Sequence, residues 1–194
     1  MNTQTEKPIY VPSFISNPDN AYQRILDEVA WIEEQERRRE CFMAHQPTDY
    51  QYLPMEGAPV YHSGAYHPLV EEIEQRINAE FGCSMNLCFL NHYAHQRQAL
   101  GWHADDADII DQTQPIVVVS LGAVREIWTR PSSIVDGERV SHKGEIPHEW
   151  RYTLENGSVF IMPPGFQNTH QHRIPKGDRE MDGRISLTYR SGKF

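Results

Sequence analysis

Apolar residues recur at helical spacing twice in the first half of the chain, and only in short runs after that. Tyr22, Ile25, Leu26, Val29, Trp31 and Ile32 predict a first helix. Ser16-Asn17-Pro18-Asp19 opens it, with Ser16 as cap, proline in the first turn and an acid at the positive end of the helix dipole. It closes in the charged stretch 33–40. Leu69, Val70, Ile73, Ile77 and Phe81 predict a second helix over 68–81, with Gly82 as its left-handed C-cap. Beyond Gly82 the period changes. Residues 85–93, 116–121, 126–130, 150–154, 159–162 and 184–190 are short β-branched or aromatic runs. Asn156-Gly157 is a hairpin signal, and Pro163-Pro164-Gly165 marks another turn. Two helices followed by about eight strands predict an α+β fold whose catalytic half is an antiparallel sandwich or barrel.

Composition narrows the class. A chain of 194 residues suits one domain, read here as 1–194. Its three cysteines, Cys41, Cys83 and Cys88, are an odd number without a C-x-x-C pair. That argues against a disulfide framework or a zinc ribbon and points to a reducing, cytoplasmic compartment. The start, MNTQTEKPIYVP, lacks the pattern of a signal peptide, and no apolar run has the length of a membrane span. A monomer without a membrane partner is expected. The net charge is −9, unevenly spread: residues 1–129 carry 8 basic and 19 acidic side chains, residues 130–194 carry 10 and 8. Nucleic-acid binding draws most of its non-specific affinity from phosphate neutralisation, so a basic footprint here can only be local. Candidates are Arg37-Arg38-Arg39 and the group Arg125, Arg130, Arg139, Lys143 and Arg151, along the middle strands and the 131–149 insertion.

Candidate chemistry begins at His103-Ala104-Asp105. Side chains at i and i+2 of a strand share a face, so one imidazole and one carboxylate can converge. A histidine from a distant strand would complete a two-histidine, one-carboxylate triad that leaves metal positions open on one side. The tripeptide alone suits a surface loop equally well, given Asp106, Asp108 and Asp111. Two further features bear on it. Thr169-His170-Gln171-His172-Arg173-Ile174-Pro175 offers two histidines on one strand face, either able to be the third ligand. On 184–190, Arg184, Ser186, Thr188 and Arg190 share one face while Ile185, Leu187 and Tyr189 take the other. Two arginines inside a barrel are costly without an anion. A dicarboxylate cosubstrate removes that cost, through the bidentate fork of arginine; a pair of surface arginines on an edge strand is the plainer reading.

Taken together, Asn91-His92-Tyr93, His103-x-Asp105, Gly157-Ser158-Val159-Phe160-Ile161-Met162, His172 and Arg184-x-x-Leu187-Thr188-x-Arg190 resemble the AlkB family of 2-oxoglutarate dioxygenases, most closely its nucleic-acid demethylase branch. The resemblance covers roughly residues 38 to 191. It implies a double-stranded β-helix (jelly-roll) core over about 83–194, with N-terminal helical support and a substrate-recognition lid over about 1–82. It implies Fe(II), 2-oxoglutarate and O2, and oxidative demethylation of N-alkylated bases in DNA or RNA, releasing succinate, CO2 and formaldehyde. By the same resemblance His103, Asp105 and His172 hold iron. His172 is favoured over His170 because the family's ligand is followed closely by proline, as in His172-Arg173-Ile174-Pro175. Asn91, Tyr93, Arg184 and Arg190 become cosubstrate contacts. Substrate contacts fall on His62 and Tyr61, in Val60-Tyr61-His62-Ser63-Gly64, and on Asp106, Asp108 and Arg125. The chain departs from the pattern at His62, where an aromatic is expected, at Ala107, where an acid is usual, and at Ser186, where asparagine is usual. Those departures keep open a hydroxylase of a peptide, a nucleotide or a small molecule.

Overall fold

The computed structural model describes residues 6–32, 38–51, 57–141 and 150–194. In chain order the first elements are β1 (Ile9–Val11), α1 (Pro18–Glu28), β2 (Arg39–Ala44), β3 (Asp49–Tyr50), β4 (Tyr61–His62) and α2 (Pro68–Phe81). Then come β5 (Leu87–Tyr93), β6 (Leu100–His103), β7 (Ile116–Gly122), β8 (Arg125–Val135) and β9 (Glu138–Ser141). The chain ends with β10 (Arg151–Leu154), β11 (Ser158–Met162), α3 (Phe166–Thr169), β12 (His170–Ile174) and β13 (Arg184–Arg190).

All the paired strands of two sheets run antiparallel. The major sheet has the order β1-β11-β7-β13-β5-β2, and the minor sheet β10-β8-β12-β6, with β9 added to β8. Side-chain alternation explains how they stack. From β13, Ile185, Leu187 and Tyr189 enter one apolar cluster with Ile25 and Val29 on the side of α1, and with Val70, Ile73 and Ile77 from α2. Between the sheets lies a second cluster, with Tyr93, Val118, Phe160 and Met162 from the major sheet and Ile127, Leu154 and Ile174 from the minor. Each fully buried aliphatic contributes about 1.5–3 kcal/mol, so both faces of the major sheet must be covered. The helices cover one and the minor sheet the other. This is a mostly antiparallel double sheet with few helices, consistent with a jelly-roll core.

Several sequence expectations change. α1 ends at Glu28 because Val29 is extended (φ −83°, ψ 137°), so Trp31 and Ile32 are not helical. Trp31 instead folds back, its Nε1 donating to the Leu26 carbonyl at 3.1 Å. The end of the stretch read as helix, at Arg39, begins β2, which lines an edge of the major sheet. β2 is buried on both faces, Cys41 and Met43 toward the helices and Phe42 and Ala44 toward the other side, and a doubly buried strand shows no alternation to read. β1, unanticipated, completes the other edge against β11. Asn17, not Ser16, occupies the N-cap position of α1, and its side chain makes no capping hydrogen bond.

The hairpin falls at a turn other than the expected one. Asn156-Gly157 does not close a hairpin, since β10 and β11 belong to different sheets. It is a corner: Asn156 Oδ1 accepts from the Gly122 N–H at 2.8 Å, and Gly157 (φ 79°) brings its backbone so close that a Cβ would lie 3.0 Å from the Ile15 carbonyl and Pro18. The hairpin is made instead by Asp136-Gly137, at φ 51° and 81°, between Val135 and Glu138. Part of the expected 131–149 insertion is therefore strand; 142–149, with Lys143, and 33–37, with Arg37, lie outside the described residues. No helix among the described residues is long and apolar enough to cross a membrane.

His92 links fold and pH. It sits buried on β5 beside the rings of Tyr22 and Trp31. Burial, reinforced by the charge of Arg39, pushes its pKa down to about 4. The unfolded chain takes that proton near 6.5 and the folded one only near 4, so stability falls as pH drops through this window. Thermal melts of the metal-free protein are expected to show a falling midpoint from pH 6.5 to 4, and His92→Phe to flatten that slope. An unaltered slope in the variant would assign the effect elsewhere.

Candidate metal and cosubstrate site

The three atoms that could hold a metal come from the paired strands β6 and β12 and from Asp105, two residues beyond the end of β6. His172 lies directly opposite His103, while two residues on Ile174 faces Leu100. β6 therefore carries one extra residue, a bulge that turns His103 inward although Leu100 also faces the core. Asp105 is pinned from both sides: its N–H donates to Gln167 Oε1 at 3.0 Å and its carbonyl accepts from Gln112 Nε2 at 2.8 Å. One ligand atom from each of His103, Asp105 and His172 lies within 4.8 Å of the others. His103 Nε2 is 3.6 Å from Asp105 Oδ1, and His172 Nε2 is 3.8 Å from Oδ2.

Charge states suit a cation. Asp105 is fully buried, which alone would raise its pKa, but Arg190 first, then His172 and His103, hold it down to about 2. Burial, with His103 alongside, lowers His172 to about 3. Burial likewise lowers His103, despite the carboxylate beside it. The set is one carboxylate and two neutral imidazoles, two nitrogens and one oxygen, as a two-histidine, one-carboxylate iron site requires. His103 Nδ1 faces the Gly101 carbonyl at 2.9 Å, which assigns its proton there and leaves Nε2 to a metal. His170 is elsewhere. It pairs with Pro131, and its ring stacks on Phe166 at 4.5 Å and Trp150 at 5.2 Å.

A second buried cation, without a full set of partners, lies on β13. Arg184 is fully buried; its Nε donates to Ser120 Oγ at 2.8 Å, but Nη1 and Nη2 find no acceptor. Burial draws its pKa down to about 10. Its neighbour across β5 is Tyr93, whose hydroxyl also lacks a hydrogen bond of good geometry. A buried cation with two open donors costs several kcal/mol until an anion arrives. Arg190, three pleat repeats away on the same face, ion-pairs with Asp105 Oδ2 at 2.9 Å. The residues present therefore fit both groups: an N,N,O cluster for a divalent metal and an unanswered guanidinium for a carboxylate.

The remaining expected contacts separate. Asn91 lies opposite Ser186, its Oδ1 accepting from Arg38 Nε at 2.7 Å. Arg38 also ion-pairs with Glu40, which takes the Tyr61 hydroxyl at 2.5 Å, so Tyr61 connects the β3–β4 pair to the cosubstrate side. His62, its neighbour, turns outward: its side chain is 79% exposed and contacts Asp49 at 2.7 Å. Asp106 meets Arg139 of β9 at 2.6 Å. Asp108 is exposed, its carbonyl accepting from Lys193. Arg125 is buried and spends donors on the Gln98 and Pro175 carbonyls. Sequence reasoning missed Ser120, Gln167 and Glu40, and named Arg139 only within the basic group of the middle strands.

The chain matches the model of the 2OG-Fe(II) oxygenase superfamily over residues 5–190 and belongs to that family. With it come Fe(II), 2-oxoglutarate and O2 as metal, cosubstrate and oxidant. Among relatives, it is 25% identical over 194 residues to the human alpha-ketoglutarate-dependent dioxygenase alkB homolog 3, covering 93% of this chain and 64% of that protein. It is 25% identical over 160 residues to the DNA oxidative demethylase ALKBH2 of Arabidopsis thaliana, covering 77% of this chain and 48% of the relative. The chain thus spans less than two thirds of the length of these relatives. The solved structure of OsALKBH1 superposes with a TM-score of 0.59 at 16% identity, covering 95% of this chain and 97% of that one, which bears on the fold.

Adding a divalent ion such as Zn(II) is expected to stabilise the fold by about 2.7 kcal/mol at a hundredfold excess over Kd, read as a rise in melting temperature. Asp105→Asn should abolish that increment and His170→Asn should retain it. Loss of the increment in His170→Asn would move the third ligand to His170.

Proposed function

We propose that this chain is an Fe(II)- and 2-oxoglutarate-dependent dioxygenase that removes N-alkyl groups from bases in DNA or RNA. The observations that carry the reading are a buried N,N,O cluster and, on the strand whose Arg190 pairs with that cluster, a buried arginine whose terminal nitrogens have no acceptor. The relatives named as an alkB homolog and as a DNA oxidative demethylase support the substrate class. Bound iron with 2-oxoglutarate couples oxidative decarboxylation of the keto acid to hydroxylation of a substrate C–H bond, and an N-hydroxymethyl product sheds formaldehyde.

The chain's own residues prepare that chemistry. His103, Asp105 and His172 would hold the metal through two imidazole nitrogens and one carboxylate oxygen. Arg184 Nη1 and Nη2 take the distal carboxylate of 2-oxoglutarate, with the Tyr93 hydroxyl beside it. Arg190 keeps Asp105 ionised and lies beside the keto-acid end. Asn91, oriented by Arg38, borders the same pocket. Tyr61, Asp106, Asp108, Arg125 and His62 ring the approach, and β3–β4 serves as the lid over a single catalytic domain, 1–194. Gln167 and Gln112, by gripping the Asp105 backbone, fix the carboxylate before metal arrives.

A second reading, hydroxylation of a peptide, nucleotide or small molecule, draws on the outward turn of His62 and the engagement of Asp106 by Arg139. Both remove groups that would otherwise stack on or bond a flipped base.

Two measurements test this. Arg184→Ala is expected to raise the KM for 2-oxoglutarate roughly a hundredfold, for the ~3 kcal/mol of a buried charge pair losing one partner. Normal cosubstrate dependence would refute the pocket. Mass spectrometry of oligonucleotides carrying N1-methyladenine or N3-methylcytosine should show return to the unmethylated mass with matching succinate. Succinate formation alongside unchanged oligonucleotides would select the second reading.

A further inference from the structure

The outward-facing side chains of the minor sheet form a ladder of alternating arginine and tryptophan. Arg151 of β10 lies over the Trp128 ring of β8 at 4.1 Å. Arg173 of β12 lies between Trp128 at 4.2 Å and Trp102 of β6 at 4.6 Å. Arg130 of β8 caps the other side of the series, 4.3 Å from Trp102. Register places these residues together: Trp128 is directly opposite both Arg151 and Arg173. The mechanism above uses none of them.

The sequence supplies the contrast. Net charge is −9, yet this face gathers Arg130, Arg151 and Arg173. The acid beside them on β8, Glu126, already accepts from Trp128 Nε1 at 2.7 Å. Arg173 is held between two indoles, but its buried Nε has no acceptor. A guanidinium stacked on an aromatic ring is ordered in advance; Arg130 is further fixed by Nε and Nη2, which donate to Gln171 Oε1 at 3.0 and 2.7 Å.

Position relates the ladder to the metal site. Trp102 and Arg173 immediately precede and follow His103 and His172 along their strands, so ladder and triad occupy opposite faces of the same two strands. β6 is the sheet's edge. A flexible polyanion with one residue in the site can turn over that edge and continue along the ladder; a stiff duplex cannot make the turn.

We propose that this face binds the sugar-phosphate backbone of a single-stranded nucleic-acid segment flanking the reacting nucleotide, through Arg130, Arg151 and Arg173 stacked on Trp102 and Trp128. The proposal rests on the reading that nucleic acid is the substrate. Charge complementarity selects the occupant, and phosphate neutralisation gives it a salt signature.

The test uses the full chain and an unmethylated, fluorescently labelled oligothymidine of about 15 nucleotides, with anisotropy followed across a salt series. Arg173→Gln and Arg151→Gln are each expected to make the log K against log salt slope shallower by about 0.7 and to weaken low-salt binding roughly tenfold. Arg173→Lys should keep the slope. An unchanged slope and affinity in both glutamine variants, with unaltered melting temperature, overturns the proposal. If Arg173→Gln fails to fold, the exposed Arg151→Gln alone decides. Equal competition by duplex DNA or by polyglutamate overturns the choice of occupant. Demethylation is read separately on methylated oligonucleotides. Ladder-dependent binding without any demethylation supports the surface and defeats the catalytic reading. Demethylation with ladder-independent binding defeats the surface alone.

Discussion

A buried carboxylate held ionised among buried cations is the constraint around which the interior is arranged. Asp105 has no exposed surface, and a lone carboxylate there would take up a proton. Arg190 at 2.9 Å prevents this and is itself made tolerable by the pair. Arg184, on the same face of β13, has no such partner for its terminal nitrogens. Apoprotein charge is therefore balanced at one end of β13 and unbalanced at the other. A divalent cation between Asp105 and the histidines and a dianion at Arg184 would each repair what the fold leaves open. Arg190 sets the charge of Asp105 directly, while Arg184 answers to Tyr93 and Arg125 around it.

That unit was legible in the sequence wherever a single strand carried it. Alternation over 184–190 separates Arg184, Ser186, Thr188 and Arg190 from Ile185, Leu187 and Tyr189, and the apolar cluster against the helices takes the second set. His103-x-Asp105 was visible as a pair, though the i, i+2 argument was incomplete. β6 ends at His103, and a bulge before it, together with Gln167 and Gln112 around Asp105, produces the convergence. Sequence periodicity cannot register a bulge or a glutamine sixty residues away.

Turns show the same limit. Asn-Gly and Asp-Gly both supply left-handed backbone, so local chemistry cannot say which closes a hairpin and which rounds a corner between sheets. The partner strand decides. β10 finds β8 and β11 finds β7, leaving Asn156-Gly157 to stitch the sheets through Gly122 and Ser120. β2 failed for a related reason: with Cys41, Phe42, Met43 and Ala44 all buried, it has no polar face to give it a period.

The minor sheet carries two chemistries because alternate residues are independent. Inward positions of β6 and β12 supply imidazoles whose pKa values burial has lowered; outward positions supply guanidiniums and indoles. A one-residue slip in β12 would exchange Arg173 for His172 and destroy both faces together. The register is fixed by β8 as well as β6: Trp128 is opposite Arg173 and Thr129 is opposite His172 on the same paired stretch. Cross-strand stacking of Arg173 on Trp128 and Trp102 therefore acts on the triad as well. It favours the single register in which His172 faces His103, so the outer ladder contributes to placing both imidazoles whatever it binds.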